Sequence, residues 1–305
     1  VVKAKFRLSF RSLCRQKEVI VIDKLNLSMS ELGREEVLVQ AWKKASAHIR
    51  YHNWFADTLE LDLTAINLQD FISQLSHKLK SGELIRNQPL RLVPAPKSQS
   101  WGVHNDGHWG PLNGSDASAK LRPLAHVSLQ DQVITTSLMM MLANRIESAQ
   151  GDPRYPNIES KNERVISYGN RLFCDPVGKE LRHRWGSTKL YRGYFQDYQS
   201  FLERPEQFAE KLAGNGKRTV VLQSDIKQFY DRVSPELLHK CIRSFQVKTE
   251  EDDFFNFACS YLDWVWHKSD AAPVELYQKQ ASLKDFSRVS LPQGLVPAGF
   301  LQIQF

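Results

Sequence analysis

The stretch TVVLQSDIKQFYDRV, residues 219–233, restricts the fold of this chain more than any other. Thr219, Val220, Val221 and Leu222 are β-branched or apolar in succession, which predicts a buried strand. Phe229, Tyr230 and Val233 then recur at helical spacing. Asp225 is thereby predicted where the strand gives way to a turn or short helix. A carboxylate at the end of a buried strand is costly unless a cation meets it, and a divalent metal ion is one such partner. Capping competes with that reading, because aspartate is a preferred N-cap and a helix beginning near Lys227 would use one.

A chain of 305 residues has room for two domains, or for one large lobe with a smaller one attached. Its 42% hydrophobic and 25% charged residues fit an ordinary soluble globular protein and exclude disorder as the default. The net charge of +7 suits contact with phosphate backbones without requiring it. Cys14, Cys174, Cys241 and Cys259 form no Cys-x-x-Cys pair, so neither a zinc ribbon nor a disulfide framework is indicated. Reduced thiols in a cytoplasmic protein account for them. The longest apolar candidate, SLMMMLA at 137–143, is far too short to span a bilayer, and the opening residues are too charged for a secretory signal. Val1 at the start and an apolar run ending at Phe305 predict a piece of a longer polypeptide.

Along the chain, residues 31–50 carry Leu38, Trp42, Ala45 and Ile49 at helical steps. A second helix places Leu68, Phe71, Ile72, Leu75 and Leu79 on one face and stops at Gly82. Residues 89–97 read as a short extended segment, and 98–119 as a loop rich in Gly, Asn, Asp and Ser. A strand over 121–127 and a long apolar-faced helix over 129–147 follow, with an aromatic helical region at 191–212. Ser234, Pro235 and Glu236 mark a helix start, and a further helix is predicted over 251–267.

The last informative stretch is SLPQGLVPAGFLQIQF. Pro292 and Gly294 flank Gln293, and Pro297 and Gly299 precede a run that reads as a buried helix. Such a loop lets backbone approach a ligand while one amide side chain orients it, although a plain turn into a core helix has the same composition.

Order and spacing add to this. VVLQSDIKQFYDRV and SLPQGLVPAGF, in that order and separated by helices, resemble motifs A and B of the reverse transcriptase palm. KLRPLAHVSLQDQVITTSLMMMLANRIE resembles the fingers motif with its arginine and following helix. SYGNRL is similar to the Ser-Tyr-Gly plus arginine segment of the intron and retron branches. LPQGLVPAGF together with YHNWFADTLELD looks most like the bacterial defence-associated, anti-phage reverse transcriptases, the group fused to a nitrilase-like domain among them. The resemblance covers roughly residues 89–305.

The resemblance implies an α+β fold: right-hand polymerase fingers and a partial palm, with a helical N-terminal region. Residues 1–88 would form the helical region, 89–218 the fingers, and 219–305 the part of the palm with motifs A and B. Motif C and its paired aspartates would lie beyond Phe305. It also implies nucleotidyl transfer with two magnesium ions, for which Asp225 and the backbone oxygen of Ile226 would be ligands. Tyr230 matches the aromatic gate beneath the sugar, which favours deoxynucleotides by excluding a 2′-hydroxyl. Gln293 and Gly294 match the motif B residues on the incoming nucleotide, and Arg122 the fingers cation on its triphosphate. Lys120 is a neighbouring cation for which a solvated surface position is an equal reading, and Lys97 is a poorer candidate.

Three other features carry less. His104 and His108 have metal-like spacing in a Gly-rich loop, but without the internal Glu of a zinc-protease helix. AGNGKRT lacks the first glycine of a phosphate loop and precedes its strand. EEDDFF precedes motif B and reads as the first turn of a helix.

The function expected from the resemblance is an RNA-directed DNA polymerase of a bacterial antiviral system. RNA template, DNA product and dNTPs would be its partners, with no membrane partner; a non-coding RNA and a second copy of the chain are further partners it allows. Untemplated DNA synthesis on the same fold is one alternative. A catalytically inactive, RNA-binding scaffold is the other.

Overall fold

The computed structural model describes residues 25–52, 58–97, 100–112 and 121–302. Four helices open them: α1 (Met29–Leu32), α2 (Glu35–His52), α3 (Thr58–Ile66) and α4 (Leu68–Ser81). The first predicted helix is therefore two, interrupted at Gly33 and Arg34. The α4 helix stops as expected, with Gly82 in the left-handed region at φ 73°.

Next come β1 (Arg91–Pro96), β2 (Trp101–Val103), β3 (Trp109–Pro111), β4 (Leu121–His126) and the long helix α5 (Leu129–Ala149). The predicted loop at 98–119 thus holds a small antiparallel hairpin, in which Gly102 faces Gly110 and Gly107 turns the chain at φ 81°. β1 pairs antiparallel with β4, placing Ala95 opposite Arg122 and Leu92 opposite Ala125. From Leu129 to Ala143 every residue of α5 except Gln130 is buried, so this helix forms the central post. Two of its buried polar side chains are tied in: Asp131 accepts from the Tyr261 hydroxyl and the Gln88 amide, and Thr135 donates to the Asp131 carbonyl, while the Thr136 hydroxyl is buried without a partner among the described residues. α2 packs along it, and Lys44 of α2 is fully buried with its Nζ donating to the carbonyls of Arg184 and Ser187. Burial lowers the Lys44 pKa to about 8.

The remainder comprises β5 (Cys174–Val177), β6 (Glu180–His183), α6 (Tyr194–Gly214), α7 (Phe229–Arg232), α8 (Pro235–Arg243), α9 (Asp252–Tyr261), β7 (Trp264–Val265), α10 (Ala271–Gln280), β8 (Arg288–Val289) and α11 (Ala298–Gln302). Among the described residues the strands pair only as two-stranded antiparallel sheets, so the chain is a helix-rich α+β protein. Ser234 caps α8 as predicted, its Oγ accepting from the Leu237 amide at 3.2 Å. The helix predicted over 251–267 ends at Tyr261, because Trp264 and Val265 pair with Val289 and Arg288.

The predicted strand at 219–222 is not formed. Its backbone pairs with no neighbour among the described residues, and Val220 and Leu222 are 83% and 92% exposed. β-branched composition favours a pleated surface, but a strand exists only where a second chain segment accepts its hydrogen bonds. Asp225 and Ile226 are exposed in the same segment, so Asp225 does not end a buried strand. Nor does it cap a helix: α7 begins at Phe229, with Gln228 at its N-cap in the left-handed region at φ 55°.

Among the described residues no helix is long and apolar enough to cross a membrane.

Candidate functional site

The Pro-Gln-Gly loop is held from three sides. The Ala125 amide of β4 donates to the Gln293 carbonyl at 2.8 Å, joining the loop to β4 beside a parallel bridge between Leu124 and Gln293. Gln132 of α5 donates from Nε2 to the Gly294 carbonyl and accepts from the Val296 amide at Oε1, both at 2.8 Å. Tyr191 donates to the Val296 carbonyl at 2.9 Å. Gly294 has φ 139°, and a Cβ there would run into the Ala125 carbonyl oxygen. Only glycine fits both the conformation and the close backbone approach.

Facing this loop is the short helix α7. Phe229 and Tyr230 sit edge to face with ring centroids 5.8 Å apart, and both are half-buried. Burial pushes the Tyr230 phenol up, so it keeps its proton at neutral pH. The next residue, Asp231, joins the two elements. Its Oδ2 accepts from the Tyr277 hydroxyl at 2.7 Å and its Oδ1 from Gln293 Nε2 at 3.3 Å. Burial raises the Asp231 pKa, and these bonds oppose the shift.

Between β4, α7, the loop and the end of α2 lies a cavity of about 870 Å³, within the size range of small-molecule sites. Arg122, Tyr230, Gln293 and Gly294 line it together, although they come from three distant parts of the sequence. His48 and His52 of α2 reach the same cavity, with rings 4.3 Å apart. Burial, with His52 nearby, brings the His48 pKa down to about 4 and leaves it neutral at pH 7.

The Ser-Tyr-Gly-Asn-Arg segment forms the floor. Arg171 is buried and pairs with buried Glu147 of α5, Nε to Oε2 at 2.8 Å. Its other nitrogens donate to the carbonyls of Ser167, Glu147 and Gly151, and the Leu172 amide donates to Glu147 Oε1. Arg171 thus fixes the turn after α5, which positions Tyr168 and Asn170 on the cavity wall.

Asp225 and Ile226 are not among the lining residues; they lie in the exposed segment that leads into α7. Lys120 falls outside the described residues. His104 and His108 belong to the β2–β3 turn, where the His104 amide donates to the His108 carbonyl. The EEDDFF acids do open a helix, and Glu251 pairs with Arg145. Among the described residues no group of three or more His, Cys, Asp or Glu side chains could share a metal ion. Asp225 and the Ile226 carbonyl are fewer oxygens than two hard cations require, and the Asp231 carboxyl is engaged by Tyr277 and Gln293.

Sequence patterns did not single out Gln132, Tyr191, His48 or Asp231. Gln132 is a polar residue in an otherwise apolar stretch of helix and Asp231 directly follows Tyr230, so each left a trace. Tyr191 opens the aromatic stretch at 191–212, and His48 left none.

No family model matches the chain, and neither the curated proteins nor the solved structures hold a significant match.

Proposed function

We propose that the cavity is a deoxynucleotide site and that the chain is the fingers and partial palm of an RNA-directed DNA polymerase of a bacterial antiviral system. The observation that carries this reading is the convergence of Arg122, Tyr230, Gln293 and Gly294 on one cavity. A nucleoside triphosphate needs a cation for its phosphates, a bulky neighbour to test its sugar, and a polar side chain on a rigid loop to fix its orientation. Arg122 serves the phosphates through charge-assisted hydrogen bonds. The Tyr230 ring fills the space a 2′-hydroxyl would need. Gln293 meets the nucleotide from a loop pinned by Ala125, Gln132 and Tyr191. Magnesium would support phosphoryl transfer on this reading, and Asp225 with the Ile226 carbonyl, which lie outside the cavity lining, would supply only part of its oxygen set.

The alternative of a catalytically inactive, RNA-binding scaffold draws on α6. Tyr194, Phe195, Tyr198, Phe201 and Leu202 are all exposed along that helix, an apolar face of the kind used in association.

The test is metal-dependent incorporation of labelled dNTPs by the full-length protein, with RNA template present or omitted, beside Asp225→Asn. Incorporation lost in the variant is the expected result, and dependence on template separates copying from untemplated extension. A wild-type protein that incorporates nothing, or a variant as active as wild type, overturns the reading as stated.

A further inference from the structure

Asp231 and Gln293 meet at the edge of the cavity, with Gln293 Nε2 donating to Asp231 Oδ1 at 3.3 Å. The Gln293 backbone has little freedom, since Ala125 holds its carbonyl and Gln132 grips the two sides of Gly294 and Val296. What remains free is the rotation of its terminal amide, whose two ends have nearly the same shape. Chemistry separates them: the NH₂ end only donates, and the oxygen only accepts. An ionised carboxylate only accepts, so it can engage Gln293 solely through the NH₂ end. Tyr277 fixes that carboxylate by donating to its other oxygen.

We propose that Asp231 is a positioning residue that turns the Gln293 side chain so that its carbonyl oxygen faces the cavity, which makes the site selective for a ligand group that donates a hydrogen bond. On the reading of the cavity as a deoxynucleotide site, on which this rests, that group is a sugar hydroxyl or a base N–H of the incoming nucleotide. Asn at position 231 carries its own NH₂ and can hold Gln293 in either orientation, so the selection is lost while the packing is kept. The groups that set the charge on Asp231 are Tyr277 and Gln293, which donate to it, and Arg232 and Lys97 nearby. Arg232 itself donates to Gln228 Oε1 and the Ala281 carbonyl.

Two measurements test this. In the incorporation assay, Asp231→Asn is expected to lower kcat/KM for dNTPs about tenfold, the scale of one directed hydrogen bond, and to have no further effect in a Gln293→Ala background. A loss that persists undiminished in that background, or an Asp231→Asn variant equal to wild type, overturns the inference. The second readout needs no catalysis: in full-length protein labelled with ¹⁵N-glutamine, the Gln293 side-chain amide is expected to move with pH as Asp231 titrates. A Gln293 amide insensitive to pH overturns the inference even if every variant misfolds. A wild-type protein without incorporation but with the titrating amide instead refutes the polymerase reading and leaves the positioning contact standing.

Discussion

The backbone amide of Ala125 donates to the carbonyl of Gln293 at 2.8 Å, and the carbonyl of the same Ala125 blocks any side chain at Gly294. One residue of β4 therefore both anchors the Pro-Gln-Gly loop and dictates its glycine. Because Arg122 stands on the same strand, the loop and the cation keep a fixed relation across the cavity.

Gly294→Ala is expected to destabilise the protein by about 3 kcal/mol or more, since it combines a strained backbone with a clash against backbone. Gly82→Ala is the control. Gly82 also has positive φ, but open space surrounds its Cβ position, so its cost is about 1 kcal/mol. Urea unfolding of both variants checks the contrast, and equal losses would remove the close approach from the explanation.

Removing one partner of the Arg171 and Glu147 pair leaves a buried charge alone. Both side chains are at most 1% exposed. Arg171→Met and Glu147→Gln should each cost about 3–5 kcal/mol, measured by denaturant unfolding. Arg171→Lys should recover little, because an ammonium cannot reproduce the forked contacts to Glu147, Ser167 and Gly151.

Acid stability should report Glu251. Hydrogen bonds from Arg145, together with those from the Val247 and Lys248 amides, lower its pKa from 4.5 to about 2. A folded-state pKa below the unfolded one gives stability that is complete above the unfolded value and is lost as pH falls through the folded one. The stability difference between wild type and Glu251→Gln should therefore shrink between pH 4.5 and about 2. A difference constant across that window would show that Glu251 contributes through packing alone.

The fold was most legible where one residue type settles a local question. Gly82 stops α4, Ser234 caps α8, and the apolar register of 129–147 becomes the central helix. It was least legible where structure depends on a distant partner. Val220 and Leu222 have strand composition but no ladder among the described residues, while Trp264 and Val265 left a predicted helix because Arg288 and Val289 were available to pair. The candidate site divides in the same way. Arg122, Tyr230, Gln293 and Gly294 could be picked from motifs, and they do share a cavity. The residues that hold them, Gln132, Tyr191 and Asp231, act through single hydrogen bonds between segments far apart in sequence, which periodicity does not encode.

The most direct test of the nucleotide site is equilibrium binding of dATP and ATP, each with magnesium, to full-length wild type, Arg122→Ala and Tyr230→Ala. The account predicts that wild type prefers dATP. It also predicts that Arg122→Ala weakens both ligands by about tenfold or more, the scale of a hydrogen bond to a charged group, and that Tyr230→Ala abolishes the preference while retaining dATP. Equal affinity of wild type for the two ligands, or binding indifferent to both substitutions, would contradict it.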